Sequence, residues 1–85
     1  MNIQIEPHTL QRAIERGATE NEITDTINSG VNILGRLGRL GKSKVFLFDA
    51  ERNGKYFEEK KLEVYYVIES NIIITITVYV FYGKF

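Results

Sequence analysis

The chain has no cysteine, one proline, one histidine and no excess of charge of either sign, and each shortage removes a class of function. Without cysteine there is no disulfide framework and no thiolate nucleophile, and a reducing, cytoplasmic setting is the expected one. With a single imidazole and acids that fall mostly on expected solvent faces or beside lysines, no set of residues has metal-ligand spacing, so neither metal nor cofactor is expected. Eleven basic side chains balance eleven acidic ones, so the whole molecule lacks the positive field that draws in nucleic acid from a distance. Long apolar runs are also missing. The most apolar stretch, Ile72 to Tyr82, is broken by Thr75 and Thr77 and is far shorter than the roughly 20 residues of a membrane-spanning helix. Met1 to His8 have neither the basic end nor the apolar run of a secretory leader.

What is present suffices for one core. A chain of this length buries about 60–65% of the surface its unfolded form exposes, which supports a single domain over residues 1–85. Hydrophobic residues make up 44% of it, five Tyr and five Phe among them, enough to offset chain entropy.

Two helices and then strands are predicted. Ile3 and Ile5 alternate with polar residues, which permits a short first strand, and Pro7 supplies the φ favoured in a helical first turn. A helix over Pro7 to Arg16 follows, with Leu10, Ala13 and Ile14 at helical spacing and Gly17 placed as its left-handed cap. Thr19-Glu20-Asn21-Glu22 fits a capping box, Ile23 and Ile27 mark the buried side of a second helix, and Gly30 ends it. From there the period is two, and Val31–Leu34, Ser43–Phe48, Tyr56–Glu69 and Ile72–Tyr82 read as strands. Asn53-Gly54 suits a two-residue type I′ turn, which puts Val45 opposite Leu62 and Lys44 opposite Glu63. For the last hairpin, a three-residue loop Glu69-Ser70-Asn71 aligns Ile68, Tyr66, Val64 and Leu62 with Ile72, Ile74, Ile76 and Val78. That apolar face needs the helices as its cover, leaving the opposite face open, with Lys61, Glu63, Tyr65 and Tyr79 on it and Phe46, Phe48 and Lys44 nearby. The fold class expected is α+β, two N-terminal helices on one face of an antiparallel sheet of about four strands.

Three patterns bear on chemistry. Gly35-Arg-Leu-Gly-Arg-Leu-Gly41-Lys42-Ser43 is not a nucleotide-binding phosphate loop, since five residues rather than four separate its outer glycines and a strand follows in place of a helix. As a mobile loop its Arg36, Arg39 and Lys42, with Lys44 beyond, form an acid-free basic stretch that suits a phosphate backbone, or else simply keep a surface connection soluble. His8, Arg12 and Arg16 form one stripe of the first helix. Read as chemistry, the stripe has an imidazole to move a proton and guanidinium groups to stabilise a phosphorane; read as structure, it is a solvated face with Arg16 near the helix C-terminus.

The pattern His8-x-x-x-Arg12-x-x-x-Arg16-Gly17, with Thr19-Glu-Asn-Glu-Ile23, Gly41-Lys-Ser-Lys-Val45 and Val78-Tyr-Val-Phe-Tyr82, resembles the family known as domain of unknown function 4258, over nearly the whole chain. Such proteins look similar to RelE-like and BrnT-like toxins. The resemblance implies helices on one face of a small antiparallel sheet, a metal-independent endoribonuclease site, RNA as substrate and a cognate antitoxin protein as partner. On that reading His8, Arg12 and Arg16 carry the chemistry, while Arg36, Arg39, Lys42, Lys44, Lys61 and Tyr79 bind substrate. The alternative is a non-catalytic protein-binding or assembly module that uses the open face or an edge strand.

Overall fold

In the computed structural model, which describes residues 1–85, the chain runs β1 (Asn2–Gln4), α1 (Pro7–Arg16), α2 (Glu20–Ser29), β2 (Val31–Ile33), β3 (Leu40–Arg52), β4 (Lys55–Glu69) and β5 (Ile72–Gly83). The strands form one sheet in the order β1-β5-β4-β3-β2. The α+β class holds, but the sheet has five strands and is mixed rather than antiparallel throughout, because Asn2–Gln4 runs parallel beside Ile72–Ile74. That seat sends the inward side chain of Ile3 toward the core and starts α1 at the edge of β5. No helix is long and apolar enough to cross a membrane.

Gly17, in the left-handed region at φ 88°, closes α1 as its position predicts. The helix is rolled relative to its apolar pattern, however. Thr9 and Ala13 face inward, and Ile14 is 81% exposed. Polar contacts fix that roll: Thr75 donates from its hydroxyl to Thr9 Oγ1 at 2.9 Å, and Tyr82 donates to the Arg16 carbonyl at 2.6 Å. Both halves of the capping box form on α2. Glu22 then does a second job, accepting from the buried Lys60 ammonium at 2.8 Å, which also donates to the Gly17 carbonyl at 2.8 Å. The junction between the helices is thereby tied to the middle of β4.

Asn53 and Gly54 both adopt positive φ and pair Arg52 with Lys55, the two-residue turn expected there. Between Leu47 and Ala50 the ladder slips by one, with Asp49 in the left-handed region and its carboxylate taking the Tyr56 hydroxyl. Val45 therefore stands opposite Lys61 and Lys44 opposite Leu62, not opposite Leu62 and Glu63. Phe46 and Lys44 consequently share the helix-covered face with Leu62, and Phe48 packs edge-on against Tyr82 there. None of the three is on the open face.

The last hairpin turns on Ser70-Asn71 alone, both at positive φ, and Glu69 pairs with Ile72, which overturns the three-residue loop. The three-residue loop presumes regular alternation along Ile72, Ile74, Ile76 and Val78, whereas β5 is bulged. Tyr66 pairs with Thr75 but Tyr65 with Thr77, so Ile76 is an extra residue. Ile73 and Thr75 point inward before the bulge, and Val78 and Val80 after it. Helix residues Ala13, Ile23 and Ile27 close over Leu62, Val64, Tyr66 and Val78 to form the core.

Candidate functional site

The bulge at Ile76 decides what the open face carries. Without it, Thr77, Tyr79 and Phe81 would continue the inward row of Ile73 and Thr75; with it, they turn outward. The open face then reads across the strands as Gly41–Tyr65–Thr77, Ser43–Glu63–Tyr79 and Val45–Lys61–Phe81. Gly41 makes room for this arrangement, since a Cβ there would stand 3.1 Å from the Tyr65 ring.

Over this floor stands the connection between β2 and β3. Leu37 and Gly38 both have positive φ, and Arg39 N–H donates to the Arg36 carbonyl at 3.0 Å, which makes a tight turn of the Gly-rich segment. Leu34, Arg36 and Arg39 from this loop join Glu63, Tyr65, Thr77, Tyr79 and Phe81 to line a concave site of about 380 Å³. Glu63 accepts from the Tyr65 hydroxyl at 3.3 Å and has Lys61 Nζ 3.8 Å away. Burial, and then the charge of Glu63, push the Tyr65 phenol above its ordinary 10.0, partly offset by Arg36. At neutral pH Tyr65 is therefore a proton donor. Tyr79 meets Tyr65 edge to face at 6.0 Å and carries the Arg16 guanidinium 4.9 Å from its centroid.

Of the residues singled out from sequence, Arg36, Arg39 and Tyr79 line this site, Lys61 borders Glu63, and Arg16 touches Tyr79 from the sheet edge. Arg12 is paired with Glu15 at 2.8 Å. His8 is exposed on the first turn of α1, has no hydrogen bond or ion pair, and does not line the site. The basic stretch is split by strand alternation: Lys42 and Lys44 project to the covered face opposite Val64 and Leu62, and Lys44 is held by Asp25 at 2.8 Å and by Ser29. Glu63, Tyr65 and Phe81 were not among the candidates. The alternation Lys61-Glu63-Tyr65 was the available signal, but the bulge that brings Phe81 and the carboxylate to the same site leaves no mark in composition. No three His, Asp or Glu side chains converge as a metal site would require. Neither a family model, nor a curated protein, nor a solved structure matches this chain.

Proposed function

We propose that the open face binds RNA and cleaves it without a metal ion, as a toxin-like endoribonuclease, with the chemistry centred on Glu63 rather than on His8. One observation supports this most. Arg36 and Arg39, which form no ion pair, lean over a site that also holds a carboxylate and a protonated phenol. Of the eleven basic side chains five are in ion pairs, Arg12, Lys44, Lys60, Lys61 and Lys84, and of the other six Arg36 and Arg39 are the two that line this site, so a neutral chain still presents a local positive surface here.

The arrangement suits intramolecular transfer at a ribose phosphate. Glu63 takes the proton of the 2′-hydroxyl, the 2′-oxygen bonds to the adjacent phosphorus, and the bond from phosphorus to the 5′-oxygen breaks. Tyr65 gives its proton to that departing oxygen and regains one from Glu63 across their shared hydrogen bond. Arg36 and Arg39 offset the charge gathered on the phosphorane, the part a metal ion plays in other nucleases. The products are a 2′,3′-cyclic phosphate and a 5′-hydroxyl.

Leu34 and Leu37, each 92% exposed beside the two arginines, favour a second reading, in which this loop seats a protein partner such as an antitoxin, or the domain is a protein-binding module alone. Incubating the purified protein with unstructured RNA in EDTA, and analysing the ends by mass spectrometry, separates the two. Cyclic phosphate ends that disappear in Glu63→Gln support cleavage. Intact RNA, with no binding even at low salt, supports the module.

A further inference from the structure

We infer that Phe81, Phe85 and Lys61 form a base-stacking subsite adjoining this pocket, so that RNA is taken as an unpaired strand with one base splayed out beside the phosphate being cut. The inference rests on the reading that the open face takes RNA. Lys61 Nζ stands 5.4 Å from the Phe81 ring centroid and 5.0 Å from that of Phe85, a cation held between two phenyl rings. Phe81 and Phe85 are 44% and 51% exposed and stand against the same lysine, which makes them one apolar patch rather than scattered surface residues. The Phe85 backbone N–H donates to Glu59 Oε1 at 2.7 Å, and its ring lies against Gly83, where a Cβ would sit 3.7 Å from Cζ.

Charge argues for a nucleic-acid base as the occupant. The rings are flanked by Lys61 and, across the pocket, by Arg36 and Arg39, while Glu59 and Glu63 are already engaged by the Phe85 N–H and by Tyr65 and Lys61. Basic groups interleaved with aromatic rings are the chemistry that grips a single strand, with phosphates on the cations and bases on the rings. A duplex keeps its bases stacked inside an A-form helix and offers nothing to Phe81 and Phe85. The subsite therefore selects for unpaired RNA.

The test uses the whole protein and a 2′-O-methyl RNA, which cannot be cut, carrying one 2-aminopurine. Wild-type protein should bind the single strand, quench the 2-aminopurine at one position, and bind the matching duplex at least tenfold more weakly. Phe85→Ala, at the end of the sheet and remote from the core, should weaken binding roughly 5- to 100-fold and abolish the quenching, and Phe85→Tyr should restore both. Phe81→Leu should behave like Phe85→Ala, with its thermal midpoint checking that the sheet survives. Wild-type affinity in both Phe85→Ala and Phe81→Leu would overturn the subsite while leaving cleavage by Glu63 intact. So would a duplex bound as tightly as the single strand, or a dimer in sedimentation that Phe81→Leu dissociates, which would make a second copy the occupant. If the wild-type protein neither binds nor cuts RNA, the reading of the open face itself fails.

Discussion

The guanidinium of Arg16 lies 4.9 Å from the ring centroid of Tyr79 and donates a 2.7 Å hydrogen bond to the carbonyl of Val78, so one side chain of α1 covers the edge of β5 and braces a wall of the site. β1 pairs only with Ile72–Ile74, so beyond it Arg16 takes over at Val78 part of the protection of the β5 edge against foreign strands. Arg16→Ala should cost about 1–2 kcal/mol in urea unfolding, since it removes a charge-assisted bond to a partly buried carbonyl. Arg16→Lys keeps the charge but not the planar stack, and should recover stability better than it recovers RNA binding.

Deleting Ile76 should be far more damaging than replacing it. The deletion removes the bulge, turns Thr77, Tyr79 and Phe81 toward the helices and sends Val78 and Val80 outward, so the variant should fail to fold. Ile76→Thr keeps the extra residue and should retain a native circular-dichroism spectrum. A folded deletion variant would contradict the role given to the bulge.

The ion pair between Lys60 and Glu22, with side chains 8% and 21% exposed, should show an asymmetry. Glu22→Gln can still serve the capping box but leaves the buried ammonium without a counter-charge, and should approach the lower end of the roughly 3–5 kcal/mol cost of breaking a buried pair. Lys60→Met removes the charge itself and packs against Phe48 in its place, so it should cost less. Equal losses in the two denaturation curves would remove the claim.

Acid should weaken the tie between α2 and β3. Hydrogen bonds from Lys44, and then from Ser29, hold the Asp25 carboxyl below its ordinary 3.8. A folded-state value below the unfolded one means stabilisation that is present above about pH 4 and is lost as pH falls through the folded value. Lys44→Met should flatten the stability profile on the acid side and leave it unchanged in shape near neutrality.

The helices, the capping box and the Asn53-Gly54 turn were legible in sequence because each depends on residues within a few positions of one another: Thr19 and Glu22 bond to each other and need no tertiary partner. The two bulges were not, and the errors of register and facing follow from them, whereas the parallel seat of β1 beside Ile72–Ile74 is a separate long-range pairing that no local pattern marks. Phe48-Asp49 and Ile76 each shift the ladder by one residue, and a one-residue shift changes the face of everything beyond it. Hence Lys44 and Phe46 lie under the helices rather than on the open face, and Phe81, not Tyr79, stands beside Lys61. The roll of α1 escaped for a different reason: Thr9 outcompetes Ile14 for the interior because Thr75 waits there with a hydroxyl. The arginines of the Gly-rich loop could be picked out as basic, but only the sheet register supplies the carboxylate and phenol they meet.

The most direct test of the central claim compares two single substitutions, Glu63→Gln and His8→Ala, in single-turnover cleavage of an unstructured RNA in EDTA. A general acid–base residue is worth typically 10²–10⁴-fold in rate. Placing the chemistry on the open face predicts a loss of about that size for Glu63→Gln, with RNA affinity retained, and a rate for His8→Ala within about threefold of wild type. A full loss in His8→Ala beside an active Glu63→Gln would contradict it and return the chemistry to the helix.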